Sequence, residues 1–190
     1  MKVILARHTQ TNYNYKKAYY GISDISINET GKKQAIRLGK LLKKIEKIDY
    51  MYLSTLKRTQ ETALIALNQC QHRPKTKSIK EFNERNFGIW EGKTANEVEL
   101  LDNINWEIFL KKPFDAIPKK GESFYLYKRR VLLAWDKIIK SHEDRDTILF
   151  LLHLGVLRVI IKERIELDKN FWSIQIPQGK FLIYNIKRRD

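Results

Sequence analysis

The sequence predicts an α/β fold, a three-layer α/β/α sandwich with a mostly parallel central sheet. Three observations carry this reading. Short apolar runs at 3–6, 50–53 and 148–152 end in polar turns, amphipathic helical patterns stand between them, and 190 residues suffice to bury a core without a disulfide or metal staple. No internal repeat, low-complexity segment or linker divides the chain, so one domain over residues 1–190 is expected.

The first run, Val3-Ile4-Leu5-Ala6, delivers Arg7 and His8 into a polar loop that extends to residue 29. Ala35, Leu38, Leu42 and Ile45 then recur at helical spacing and predict a helix over 31–47. Tyr50-Met51-Tyr52-Leu53 reads as a second strand, followed by a helix over 57–70 with Arg58 in its first turn. A cation there opposes the helix dipole, so the placement makes sense if an anion shares the helix terminus with it. Residues 79–92 mix large aromatics, glycines and acids with neither period, and read as an ordered loop. Helices are expected over 96–109 and 124–138, separated by a loop at 113–121. A strand at 148–152 ends on His153, a helix follows over 155–165, and a last strand at 181–186 precedes a charged tail. In such a sheet, ligands bind at the carboxyl ends of the strands, where His8 and His153 fall.

Composition narrows the class of protein. At 43% hydrophobic and 31% charged residues the chain is of ordinary soluble type. A single cysteine, Cys70, rules out an internal disulfide and a cysteine-rich metal cluster, which suits a reducing cytoplasm. No apolar run is long enough for a signal core or a membrane span, so a cytoplasmic protein with no membrane partner is expected. The charge of +15 has two readings. Lysine pairs at 43–44, 111–112 and 119–120 fit a solvated surface, while the excess would also draw in an anionic substrate. No DNA- or RNA-binding motif accompanies the charge, so no nucleic-acid partner is expected. No helical stripe is apolar enough to demand a partner chain, and the protein is expected to be a monomer or homodimer.

The chemistry-bearing residues are Arg7-His8, with Thr11 and Asn14 close behind, then Arg58, then His153 with Arg158 five residues on. A guanidinium donates two parallel, charge-assisted hydrogen bonds and so suits phosphate. A histidine beside it offers a nucleophile or a ligand. Trp90, Trp106, Trp135 and Trp172 read as core or rim, and His72 and His142 as solvated.

These residues resemble the motifs of the histidine phosphatase superfamily, which has the phosphoglycerate mutase-like fold. Arg7-His8-Thr9-Gln10-Thr11-Asn12-Tyr13-Asn14 is similar to its Arg-His-Gly-x-Thr-x-x-Asn signature. The run from Gly21 to Ile27 resembles Gly-x-x-Asp-x-x-Leu, and that from Ser54 to Ala63 resembles Ser-Pro-Leu-x-Arg-x-x-x-Thr-Ala. Residues 82–92 resemble the loop carrying the family's acid, Gly121-Glu122-Ser123 with Arg130-Val131 recurs in the phosphatase branch, and 153–158 resembles His-Gly-Gly-x-x-Arg. The six segments occur in family order along nearly the whole chain. Thr9 and Leu154 stand where the pattern has glycine, and Thr55 where it has proline.

The resemblance implies a phosphohistidine enzyme with His8 as nucleophile, Glu84 as proton donor, and Arg7, Arg58 and His153 around the transferring phosphoryl group. Glu81 and Glu91 are the competing acids, and Glu122 reads as a helix cap. Thr11, Asn14, Gly21 and the backbone at Leu154 complete the implied binding set. No cofactor and no metal is implied, because the arginines supply the charge. Within the family, only 28 residues separate Gly92 from Gly121. That short spacing implies an open pocket and phosphomonoester hydrolysis of a small phosphorylated metabolite, of ribazole phosphate or sugar phosphate type. Phosphoglycerate mutase activity and a phosphate-binding protein without turnover are the alternatives. The non-phosphate half of the substrate is expected to meet residues 15–23 and 96–114.

Overall fold

A computed structural model describes residues 1–187; residues 188–190 of the charged tail lie outside the described residues. Five strands form one sheet: β1 (Lys2–Arg7), β2 (Tyr50–Leu53), β3 (Lys75–Ser78), β4 (Thr147–Leu152) and β5 (Phe181–Asn185). Their order is β3-β2-β4-β1-β5, parallel throughout except for β5, which runs antiparallel to β1 at one edge. Seven α-helices complete the described fold: α1 (Asn12–Tyr15), α2 (Glu29–Leu42), α3 (Lys57–Leu67), α4 (Ala95–Leu101), α5 (Asn103–Lys111), α6 (Phe124–Lys140) and α7 (Leu154–Ile160).

The central strands are buried on both faces, and alternation sends their side chains into two separate cores. Ile4, Ala6, Met51, Leu53, Leu149 and Leu151 meet Leu38 and Leu42 of α2 and Ala63 and Ala66 of α3. Val3, Leu5, Tyr52, Ile148, Phe150 and Leu152 meet Tyr127, Val131 and Trp135 of α6 and Val156, Leu157, Val159 and Ile160 of α7. A third, smaller cluster joins Trp90, Val98, Trp106 and Ala116 beneath α4 and α5.

Several boundaries differ from the sequence reading. Strand β3, Lys-Thr-Lys-Ser, is fully exposed and carries no apolar signal; its backbone ladder to β2 holds it, and its lysines suit an edge. The helix expected over 96–109 is two helices, because Asp102 leaves helical geometry (φ −147°, ψ 56°) while its carboxylate accepts from Trp90 Nε1 at 2.8 Å and Asn105 Nδ2 at 2.9 Å. Helix α2 stops at Leu42 rather than 47, α3 at Leu67, and α7 passes into a π-helical turn, Ile161–Ile165. His142, read as solvated, is buried: Tyr52 and Asp146 occupy its two ring nitrogens at 2.7 and 3.1 Å. Its polar sequence neighbours conceal two partners supplied by β2 and the turn before β4. His72 is half-buried, with Nε2 3.0 Å from the Leu42 carbonyl. The lysine pairs at 43–44, 111–112 and 119–120 are all exposed.

Candidate active site

The site begins with strand register. β1 and β4 are parallel neighbours with Arg7 opposite Leu152, so the next residue of each, His8 and His153, leaves the sheet side by side. The backbone N–H of His8 donates to the Leu152 carbonyl at 2.8 Å, and the two imidazole rings lie 5.2 Å apart. Both are essentially inaccessible to solvent.

Their tautomers follow from their partners. His8 Nδ1 lies 2.8 Å from the Thr9 carbonyl, which only accepts, so Nδ1 carries the proton and Nε2 keeps its lone pair. Tyr20 places its hydroxyl 3.4 Å from that Nε2. Burial, reinforced by the charges of Arg58 and Arg7, holds His8 well below the usual 6.5, leaving it neutral near pH 7. His153 is depressed in the same direction, first by burial and then by Arg58. Its Nδ1 accepts from Arg58 Nε at 3.2 Å, so Nε2 carries the proton and donates to Ser54 Oγ at 2.8 Å.

Arg58 is fully buried in the first turn of α3, where the cation opposes the dipole. Carbonyl groups offset this: its guanidinium donates to Ser23 O at 2.7 Å and Gly21 O at 2.5 Å. The turn that presents them is tied down from its other side. Glu91 accepts from the N–H groups of Gly21, Ile22 and Ser23 and from the Ser23 hydroxyl, while Asp24 accepts from Lys57 N at the start of α3. Gly21 is required by close approach, since a Cβ there would lie 1.5 Å from the Arg85 carbonyl oxygen.

Arg7, Glu84 and the surrounding walls complete a cavity of about 370 Å³. Its floor is Arg7, His8, Arg58, Glu84, Leu154 and Gly155, with Asn14 at one side. The Arg7 Nε–H is buried with no hydrogen-bond partner among the described residues. A buried guanidinium donor left unpaired is costly, and an anion on the floor would satisfy it. Glu84 accepts from Arg85 N at 3.0 Å, Gly155 N at 3.0 Å and Tyr127 OH at 2.5 Å. Of the three candidate acids it alone lines the cavity; Glu91 is engaged by the Gly21 turn, and Glu81 is exposed with its carbonyl held by Arg130. Glu122 does not cap α6, whose N-cap is Ser123; it pairs with Arg130 at 2.7 Å. That arginine also donates to the carbonyls of Asn83 and Glu84 and so holds the acid loop.

Thr11 and Gly21 do not line the cavity. Thr11 is buried and caps α1 in a reciprocal box with Asn14, whose Oδ1 also accepts from Gln178. His153 lies behind the floor and reaches the site through its contact with Arg58. Thr9 and Leu154 have no positive φ, so neither position needs the glycine of the family pattern. Instead, Thr9 donates through its N–H and its hydroxyl to Thr62 Oγ1, which in turn donates to the Arg58 carbonyl.

The upper wall is aromatic: Tyr19, Tyr20, Phe109, Phe114, Phe124, Phe171 and Trp172, with cationic Lys17 and Arg158 at the rim. Phe114 and Trp172 are parallel within 3°, and the Arg158 guanidinium lies 5.4 Å from the Trp172 ring centre. Residues 17–20, 109, 113 and 114 fall in the segments expected to meet the substrate; Phe124, Phe171 and Trp172 do not. Tyr127, Ser54 and the 171–172 turn escaped the sequence reading because each looks like core or an ordinary turn until its spatial partner is known.

Fold and pocket together define an α/β enzyme that handles phosphate esters. The chain belongs to the histidine phosphatase superfamily (branch 1), whose family profile it matches over residues 3–190. A 2,3-bisphosphoglycerate-dependent phosphoglycerate mutase of Blochmanniella floridana is 29% identical over 215 aligned residues, covering 97% of this chain and 92% of the relative. Phosphoserine phosphatase 1 of Hydrogenobacter thermophilus is 28% identical over 192 residues, covering 100% and 88%. The crystal structure of the alpha-ribazole phosphatase from Shigella flexneri matches with a TM-score of 0.87 at 28% identity, covering 99% of this chain and 92% of that one.

Proposed function

We propose that the protein is a phosphomonoester hydrolase that forms a phosphohistidine on His8. The observation that carries this reading is the unprotonated Nε2 of a buried neutral His8, met only by the long Tyr20 contact among the described residues, on a cavity floor shared with Arg7, Arg58 and Glu84. The Nε2 lone pair attacks phosphorus and the bond to the ester oxygen breaks. Glu84 gives its proton to the departing alkoxide, so an alcohol leaves. Glu84, now a carboxylate, takes a proton from water as that water attacks phosphorus and breaks the N–P bond. Inorganic phosphate departs, and both groups return to their starting states. Arg7 and Arg58 neutralise the non-bridging oxygens, with His153 holding Arg58 from behind, and Asn14 and the Leu154 backbone beside them.

Hydrolysis is favoured over the mutase reaction by chain economy. Alignment to the mutase relative runs over 215 positions against 190 residues here, so the relative carries residues without a counterpart; alignment to the phosphatase runs over 192. A shorter chain leaves the cavity open to water. The aromatic wall favours an alcohol half with a flat apolar ring, of the ribazole phosphate type, over a sugar phosphate. The buried lone thiol of Cys70 suits a cytoplasmic setting, as a monomer or homodimer.

The test is hydrolysis of 4-nitrophenyl phosphate with mass-spectrometric trapping of the phosphorylated chain. Phosphate is expected on His8, and His8→Ala should lower kcat by at least about 10³-fold, the scale on which loss of a covalent nucleophile acts. Undiminished turnover in His8→Ala rules the reading out, and absence of turnover in the intact chain favours a phosphate-binding protein. A screen of ribazole phosphate, phosphoserine, phosphoglycerate and sugar phosphates then assigns the alcohol half.

A further inference from the structure

Tyr127 is a buried tyrosine in the first turn of α6, on its core face, where its ring alone would satisfy the packing. The ring lies against Phe124, with centroids 5.9 Å apart, and under the Arg130 guanidinium at 5.0 Å. Only 1% of the residue is exposed, yet it carries a hydroxyl, which a core position does not need and must satisfy. That hydroxyl donates to Glu84 Oε1 at 2.5 Å. Burial, and next the Glu84 carboxylate, push the phenol well above its usual 10, so it stays protonated and keeps its hydrogen for Glu84 across the working range.

Counting lone pairs gives this contact a consequence. Glu84 Oε1 accepts from both Arg85 N–H and the Tyr127 hydroxyl, which fills it. Among the described residues, Oε2 accepts from Gly155 N–H alone and keeps one lone pair. A proton placed on Oε1 would have to displace one of its donors; a proton on Oε2 displaces nothing. We propose that Tyr127 is a positioning residue that acts through Glu84, filling Oε1 so that the proton exchanged with the substrate and with water rides on Oε2. The inference rests on the reading of Glu84 as the proton donor. Without the hydroxyl each oxygen would hold one backbone donor, the two would become equivalent, and part of the protonated population would present its proton on the wrong oxygen.

The experiment reads dependence on the leaving group, which a packing defect does not alter. Single-turnover phosphorylation of the enzyme is followed with phenyl phosphates running from 4-nitrophenyl, whose phenolate leaves without help, to unsubstituted phenyl, which needs a proton. Tyr127→Phe is expected to phosphorylate with 4-nitrophenyl phosphate at the parental rate and with phenyl phosphate about tenfold more slowly, a fraction of the usual general-acid effect. Equal slowing with both esters, or no slowing with either, overturns the proposal. Glu84→Gln run in parallel separates it from the reading beneath it. If Glu84→Gln shows the steep leaving-group dependence and Tyr127→Phe does not, only the role of Tyr127 falls; if Glu84→Gln shows none, the assignment of the acid falls and takes the proposal with it. Should the phenylalanine variant fail to fold, Tyr127→Met must reproduce the same pattern.

Discussion

Gly155 shows how little room a single residue of this site leaves. A methyl group at its Cα would lie 2.5 Å from Glu84 Oε1, 2.9 Å from Oε2 and 2.8 Å from the Tyr127 hydroxyl, all inside van der Waals contact. Its φ is not positive, so the need for glycine is close approach rather than backbone conformation. The carboxylate is the softest of these neighbours and would swing away, losing the Gly155 N–H on the way. Gly155→Ala should therefore keep the melting temperature nearly unchanged while kcat falls by about 10²-fold, the cost of a misplacement near 1 Å. Steady-state kinetics beside a thermal melt decide it; a variant that melts early with normal kcat would show that the close approach serves packing instead. Leu154, one position earlier, meets no such constraint, which is why the family's other glycine can be absent here.

Helix α3 has to hold a buried cation at its own positive end, and it does so with parts borrowed from outside. No side chain of its own caps it; Asp24 accepts from Lys57 N, and the carbonyls of Gly21 and Ser23 take the guanidinium. At its next turn the hydroxyls of Thr9 and Thr62 link the loop after β1 to the Arg58 carbonyl in a chain where each oxygen has a defined role. Thr62→Val preserves shape and deletes that hydroxyl, leaving Thr9 N–H and Oγ1 buried without their acceptor. The expected cost is about 1–3 kcal/mol, read as a lower urea midpoint at unchanged slope. An unaltered midpoint would mean that water or a shifted backbone replaces the hydroxyl chain. The motif segments at 54–63 and 82–92 pointed to this helix and its acid loop, but the hydroxyl link could not be seen before Thr9 and Thr62, 53 residues apart, were brought together.

Across the whole molecule, the two buried histidines of the site, His8 and His153, couple stability to pH. Both are neutral when folded and held well below 6.5, mainly by burial and by the positive charge of Arg58, whereas in the unfolded chain each titrates near its usual value. Below about pH 6.5 the unfolded state binds protons that the folded state refuses, so stability falls as pH falls. Their contribution is complete above that pH and drains toward the folded values, at up to about 1.4 kcal/mol per pH unit for each histidine. Melting temperature should drop between pH 7 and pH 5, and drop less in His153→Gln. Parallel profiles for the two proteins would mean that carboxylates, not these imidazoles, govern the acid limb. The net charge of +15 reaches into the site: Arg7, Lys17, Arg58, Arg85 and Arg158 line the cavity against one acid, Glu84, while exposed lysines elsewhere carry much of the rest.

By itself the sequence determined the alternation of strands and helices, the placing of His8 and His153 just past two buried strands, and the six segments that mark the family. These are local signals: periods of two and 3.6, and short motifs whose residues sit within about a dozen positions of each other. The tertiary structure decided everything that depends on which strand neighbours which. Register between β1 and β4 brought two histidines 145 positions apart into ring contact. The same packing aimed the Tyr127 hydroxyl at Glu84, buried His142 between Tyr52 and Asp146, set Phe171 and Trp172 beside Phe114, and held β3 by its backbone alone. Side-chain type is written in the chain, but its partner is chosen by packing across long sequence separations, and no local period carries that information.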